Sequence, residues 1–193
     1  MKTLVLITIM LLVTSVFVGA ATDTVGVIVP DVTVVPSGGA TVGVLVANVE
    51  NAALDTTEYQ VQVGLDVEGV VGDVGVDFVN SEEVFNAKIQ LDNTGAIGIA
   101  NIANGRTGTP YLVLKPYSAK GLEFVVGGMY NHGWDLIGAV KYDVTDNFGV
   151  AVEYVDGVET ACLILEQNNL SLLAGRGLES GNDAWFAKVG FEL

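Results

Sequence analysis

The chain has 193 residues, half of them hydrophobic, and sets 23 acids against 8 lysines and arginines for a net charge of −15. That balance excludes the phosphate backbone of nucleic acid as a partner. With one cysteine, Cys162, there is no internal disulfide, and with one histidine, His132, there is little from which to build a metal site or a His-based catalytic centre.

Met1-Lys2-Thr3 is a short positive start, Leu4 to Val18 is an apolar core, and Gly19-Ala20-Ala21 supplies small residues. Together they read as a secretory signal peptide over residues 1–20, cut after Ala20. The apolar run is shorter than the roughly 20 residues of a spanning helix, and no later stretch approaches one. If the exported chain meets a membrane, it must do so as a closed barrel, because an open sheet leaves unpaired backbone groups in lipid.

Residues 21–39 are expected to form an irregular N-terminal lead-in. Val25-Gly-Val-Ile-Val29 and Val32-Thr-Val-Val35 are apolar on both faces, and Pro30, Pro36 and Gly38-Gly39 interrupt them. The domain proper is expected over 40–193. Ala40–Val49 is rich in Val and Gly. In Glu58–Glu68, Tyr59, Val61, Val63, Leu65 and Val67 alternate with Glu58, Gln60, Gln62, Gly64, Asp66 and Glu68. Val71–Val79 alternates less cleanly. In Val84–Asp92, Phe85, Ala87, Ile89 and Leu91 oppose Asn86, Lys88 and Gln90. Ala96–Asn101 and Tyr111–Lys115 follow, and Pro116 to Gly121 is expected to turn the chain into Leu122–Tyr130.

The clearest hairpin comes next. Trp134, Leu136, Gly138, Val140, Tyr142 and Val144 alternate with Asp135, Ile137, Ala139, Lys141 and Asp143; after Thr145-Asp146-Asn147, the run Phe148, Val150, Val152, Tyr154 resumes against Gly149, Ala151, Glu153 and Val155. Period-2 alternation marks strands, and Asp-Asn between two such runs is turn chemistry. Val158–Glu166, Leu170–Ala174 and Asp183–Leu193 complete about twelve short runs with no amphipathic helix among them.

Alternation alone does not separate a soluble sandwich from a membrane barrel. Aromatic residues at strand ends favour the barrel, as does an alternating carboxy-terminal run, as does the contrast between tight connections and longer ones such as Asn104–Thr109 and Gly177–Asn182. Tyr142-Asp-Val-Thr-Asp-Asn-Phe-Gly-Val-Ala-Val-Glu-Tyr154 resembles the periplasmic turn of outer membrane β-barrels of the porin-like and OmpA-like class. Trp185-Phe-Ala-Lys-Val-Gly-Phe-Glu-Leu193 is similar to that class's C-terminal assembly signal, departing from it in ending on Leu193 where the class ends on Phe or Trp. The resemblance implies an all-β, antiparallel up-and-down transmembrane barrel of 8–12 strands in the outer membrane, with lipid and the barrel-assembly machinery as partners.

Lumen-lining positions are then Gln60, Gln62, Asp66, Asn86, Lys88, Gln90, Glu123, Lys141, Asp143, Glu153, Lys188 and Glu192, with Lys141 and Glu153 the first pair to examine across the hairpin. Interfacial aromatics are Tyr130, Trp134, Tyr142, Phe148, Tyr154, Trp185 and Phe191. The expected function is structural or a narrow passive pore for small solutes or cations, without cofactor, metal or catalysis. A secreted soluble all-β envelope-associated or adhesive module is the alternative. Val125, Ile137, Val155 and Phe186 fall on the inward face, which suits a packed interior better than a wide aqueous channel.

Overall fold

The computed structural model describes residues 29–49, 54–79, 82–102, 108–130, 132–155, 158–178 and 184–193. The signal peptide and the first part of the lead-in lie outside these residues, as does most of Asn104–Thr109 and of Gly177–Asn182.

Twelve strands follow one another: β1 Ala40–Val49, β2 Leu54–Val67, β3 Val70–Val79, β4 Glu82–Asp92, β5 Gly95–Ile102 and β6 Thr109–Ala119. The second half comprises β7 Leu122–Tyr130, β8 Trp134–Thr145, β9 Phe148–Val155, β10 Val158–Gln167, β11 Leu170–Gly177 and β12 Ala184–Glu192. Each pairs antiparallel with its chain neighbours, and β1 pairs with β12 from Thr41↔Glu192 to Val49↔Ala184, so the sheet closes into a barrel. The all-β class and the antiparallel up-and-down order are as expected, with the strand count at the top of the range. Closure satisfies both edges that an open sheet would expose.

At one end every connection is a two-residue turn: 68–69, 93–94, 120–121, 146–147 and 168–169. Glu68-Gly69 (φ 53° and 86°) and Lys120-Gly121 (φ 55° and 75°) have positive φ at both positions, the I′ geometry whose twist matches paired strands. At the β4–β5 turn the Asp92 carboxylate accepts from Thr94 Oγ1 at 2.7 Å and from Thr94 N–H at 2.6 Å. At the opposite end lengths vary: 80–81 and 156–157 are two residues, whereas 50–53, 103–108, 131–133 and 178–183 are longer. Ala40 and Leu193 lie at the tight-turn end, joined by Leu193 N–H donating to Ala40 O at 2.7 Å.

Pro116 does not turn the chain. β6 continues to Ala119, and the ladder to β7 shifts between Leu114 and Tyr117. Proline has no N–H for a ladder, so it is accommodated at a bulge. The extra residue keeps Leu112, Leu114 and Tyr117 all on the outer face, where Tyr117 meets Phe124 edge-on at 5.8 Å.

The distribution of side chains is inverted relative to a soluble domain. Val61, Val63, Leu65, Ile89, Leu112, Val126, Leu136, Val152 and Leu163 are all exposed, whereas Gln62, Asp73, Lys88, Glu153, Thr160, Ser171 and Lys188 are buried. An aliphatic belt this broad on one surface calls for an apolar surrounding.

Candidate functional site: a barrel lumen crossed by the N-terminal segment

In the segment 29–39, immediately before β1, Val29, Val32 and Val35 are buried inside the barrel, while Thr33 and residues 36–38 are exposed. Val29 N–H donates to Glu153 Oε1 on β9 at 2.9 Å. Asp31 pairs with Lys115 on β6 at 3.0 Å. Val35 N–H donates to Asp73 Oδ2 on β3 at 3.1 Å. Ser37 then bridges in parallel to Gly64 on β2, Gly38 N–H donating to Gly64 O at 3.2 Å and Gly64 N–H to Gly39 O at 3.0 Å. In a ring of twelve strands β9 and β3 are six apart, so the segment spans half the ring, packed against the β5–β8 side of the lumen on the way, before joining β1. It is a strap.

The strap fills space as well as spanning it. Val29 and Val32 pack with inward residues Ala96, Val113, Val125, Ile137 and Ala139, flanked by Tyr111, Met129 and Val155. A second apolar cluster, Ala151, Cys162, Ile164, Leu173 and Phe186, occupies the wall from β9 to β12. These account for the inward apolar residues seen in the sequence.

Magnitudes show how firmly the strap is held. Burying Val29, Val32 and Val35 contributes about 1.5–3 kcal/mol each, roughly 4.5–9 together. Three charge-assisted contacts, from Glu153, Asp73 and Lys115, add a similar amount at about 1.5–3 each. Ordering the nine residues 29–37 costs about 1–2 kcal/mol each, roughly 9–18. The terms nearly cancel, so the strap depends on its polar anchors as much as on its valines.

The wall carries the charge. Lys88 and Asp73 face each other across β3 and β4 at 3.7 Å, with side chains 2% and 3% exposed. Glu153, 1% exposed, also accepts from Thr160 Oγ1 at 3.2 Å. Lys115 reaches Glu123 at 3.5 Å as well as Asp31, and Glu123 accepts from Ser118 Oγ at 2.9 Å. Thr41 Oγ1 donates to Gln62 Oε1 at 3.2 Å. Gln60 Nε2 donates to Glu58 at 2.6 Å, and Asn86 Nδ2 donates to Asp77.

Of the lumen-lining candidates, Gln62, Lys88, Glu153 and Lys188 are buried, while Gln60, Asn86, Gln90, Glu123, Lys141, Asp143 and Glu192 are half-buried. Asp66 is exposed beside the first tight turn, where its Oδ1 accepts from Gly69 N–H at 2.9 Å. The suggested pairing of Lys141 with Glu153 is corrected: Lys141 stands opposite Ala151, and Glu153 opposite Ala139. Lys141 pairs instead with Asp143 and with Glu166 of β10, each at 3.5 Å. A ladder shift between Asp143 and Thr145 sets this register. Sequence reading missed Asp73, Asp31 and Lys115. Asp73 lies in a weakly alternating run, Asp31 in a segment with no strand, and Lys115 just before the proline that was read as a turn.

Among the aromatic candidates, Tyr142, Phe148 and Phe191 are near the tight-turn end. Tyr130, Trp134, Tyr154 and Trp185 are near the other, with Tyr130 and Trp134 edge-on at 5.7 Å. His132 is exposed in the β7–β8 connection at φ 65°. Among the described residues no group of three or more His, Cys, Asp or Glu side chains is placed to hold a metal ion.

The fold is a closed twelve-strand antiparallel barrel with an aliphatic exterior and charged groups inside, larger than the smallest barrels, of the OmpA type, which have about eight strands. Among solved structures the chain is similar to a KdgM porin, with a TM-score of 0.57 at 10% identity, over 78% of this chain and 98% of that one. It is similar also to a KdgM porin in complex with disordered oligogalacturonate, with a TM-score of 0.58 at 11% identity over the same shares. No family sequence profile and no curated protein sequence matches the chain.

Proposed function

We propose that this chain is an outer membrane β-barrel that works as a narrow passive pore for small solutes and favours cations. The observation that carries the reading is the closed twelve-strand barrel with an aliphatic and aromatic exterior and a charged interior. A soluble all-β module would gain nothing from exposing Trp134, Leu136, Leu163 and Val126 together. An outer membrane supplies the apolar surrounding this belt needs, and the tight turns would then face the periplasm. Insertion would use the last strand, Trp185–Leu193, as the segment read by the barrel-assembly machinery.

Charge argues for cations. Lys88, Lys115 and Lys141 each face at least one carboxylate, and the chain carries nearly three acids for every base. A wall of carboxylates lowers the energy of a cation entering a narrow passage. Oligogalacturonate, which accompanies one of the similar porins, is a polyanion; the acid-rich lumen argues against taking that ligand over to this chain. The reading is of a channel and not an enzyme, so His132→Ala leaves conduction unchanged.

The test is purification from detergent-extracted membranes, a gel comparing boiled with unboiled samples, and planar-bilayer recording under a KCl gradient. The expected results are a heat-dependent shift in mobility and discrete currents whose reversal potential lies on the potassium side. A detergent-independent soluble protein without that shift would sink the membrane reading, and a silent bilayer would sink the pore.

A further inference from the structure

We propose that residues 29–37 are a releasable strap that sets the width of the passage, and that Gly64 is the post on which it is fastened. This rests on the pore reading and adds to it the element that limits flow.

Three observations place the strap in that role. First, its contacts fall in order around half the ring, Glu153 on β9, Lys115 on β6, Asp73 on β3 and Gly64 on β2, with Val29 and Val32 packed on the wall between, so it lies inside the barrel and takes up lumen cross-section along that half. Second, it is covalently joined to the barrel only at β1; its other contacts are noncovalent and can be given up without breaking a strand pair. Third, the wall is shaped to receive it. A Cβ on Gly64 would lie 2.0 Å from Pro36 O and 2.3 Å from Val35 O, both of them backbone atoms. No side chain other than hydrogen is compatible with the fastened strap at that point, and the atoms met first belong to the strap and not to a neighbouring strand.

Glu153 and Asp73 acquire a specific task in this arrangement. Each presents a buried carboxylate oxygen to a strap N–H that would otherwise have no partner of its own in the apolar cluster or beside it. Glu153 and Asp73 thus fasten the strap, Asp73 while also facing Lys88, whereas Glu123, Asp143 and Glu166 face lysines without touching the strap.

The test uses the full chain folded into lipid, in a Cys162→Ala background carrying Val32→Cys. Val32 is fully buried beneath the strap contacts, so a charged maleimide is excluded from the fastened form. Adding Gly64→Ala is expected to raise the labelling rate at least tenfold and, in the same background without the reporter cysteine, to raise unit conductance at least twofold. Gly43→Ala is the control, because its added Cβ meets Val189 O and Gln60 rather than the strap. Val32→Asp, which leaves every strand residue in place, is a second route to release and should give the same rise in conductance. A heat-dependent gel shift confirms that each variant has formed its barrel. Equal labelling of Gly64→Ala and its parent overturns the fastening, and release without a change in current overturns the constriction. Silence of every variant despite labelling-verified release overturns the pore reading as well, and the labelling rate keeps that failure distinct from a failure of the fastening.

Discussion

Removing the cation from the Lys88–Asp73 pair should be among the most damaging single changes in the barrel wall. The two groups are 3.7 Å apart with side chains 2% and 3% exposed, so neither can turn to bulk water. Breaking a buried pair by removing one partner costs about 3–5 kcal/mol, because the remaining charge stays desolvated. Lys88→Met should therefore cost about 3 kcal/mol, the lower figure, since Asp73 keeps its bond from Val35 N–H. Asp73→Asn should cost about as much because the buried ammonium loses the carboxylate facing it, although an amide oxygen can still accept from Val35. The double variant removes both charges and should fall well short of the sum, leaving a coupling energy of about 2–3 kcal/mol in the cycle. Urea titration of liposome-folded protein, followed by fluorescence of Trp134 and Trp185, the only two tryptophans, reads all four proteins. If Lys88→Met unfolds within about 0.5 kcal/mol of wild type, as an exposed substitution would, the pair is solvated and the lumen there is open to water.

Two further substitutions test the surroundings and the charge. Leu163, exposed in the middle of β10, should cost about 2–4 kcal/mol when changed to Arg if it meets the bilayer core, but no more than about 0.5 if the barrel is soluble; the same urea titration decides between them. Lys141→Gln leaves Asp143 and Glu166 facing the lumen without their cation, so the reversal potential in a KCl gradient should move further toward potassium. An unmoved potential would mean that this cluster lies off the conduction path.

Much of the barrel is legible from local pattern, because strand faces follow from alternation within a few residues. β7 and β9 begin and end at Leu122–Tyr130 and Phe148–Val155, where the alternation does. Bulges are where the sequence misleads. Pro116 looks like a chain reversal, since nothing local says that a ladder shift will absorb it. Lys141 and Glu153 share the inward face of one hairpin, yet the ladder sets Lys141 opposite Ala151 and Glu153 opposite Ala139, a two-residue offset that alternation alone does not reveal. The strap is hidden for a different reason. Its valines are apolar on both faces, as a buried strand would be, and its anchors lie 38 residues away at Asp73 and 124 away at Glu153. Segments held by partners so distant leave no periodicity to read. The one local sign is Gly64, a glycine on the polar face of the most regular strand.

The order of the anchors also bears on how the barrel comes into being. Eleven of the twelve strand pairings join neighbours in the chain and can form as each hairpin is made, whereas β1 and β12 must wait for the whole sequence. The strap is made before any strand, yet its resting place does not exist until β2, β3, β6 and β9 stand around it. Its burial is therefore a late event that reports on the assembly of the wall from β2 to β9. Protection of a cysteine at position 32, followed after dilution from urea into lipid, would time the moment at which β9 joins the strands before it around the strap, which strand-content signals such as circular dichroism reach too early to see.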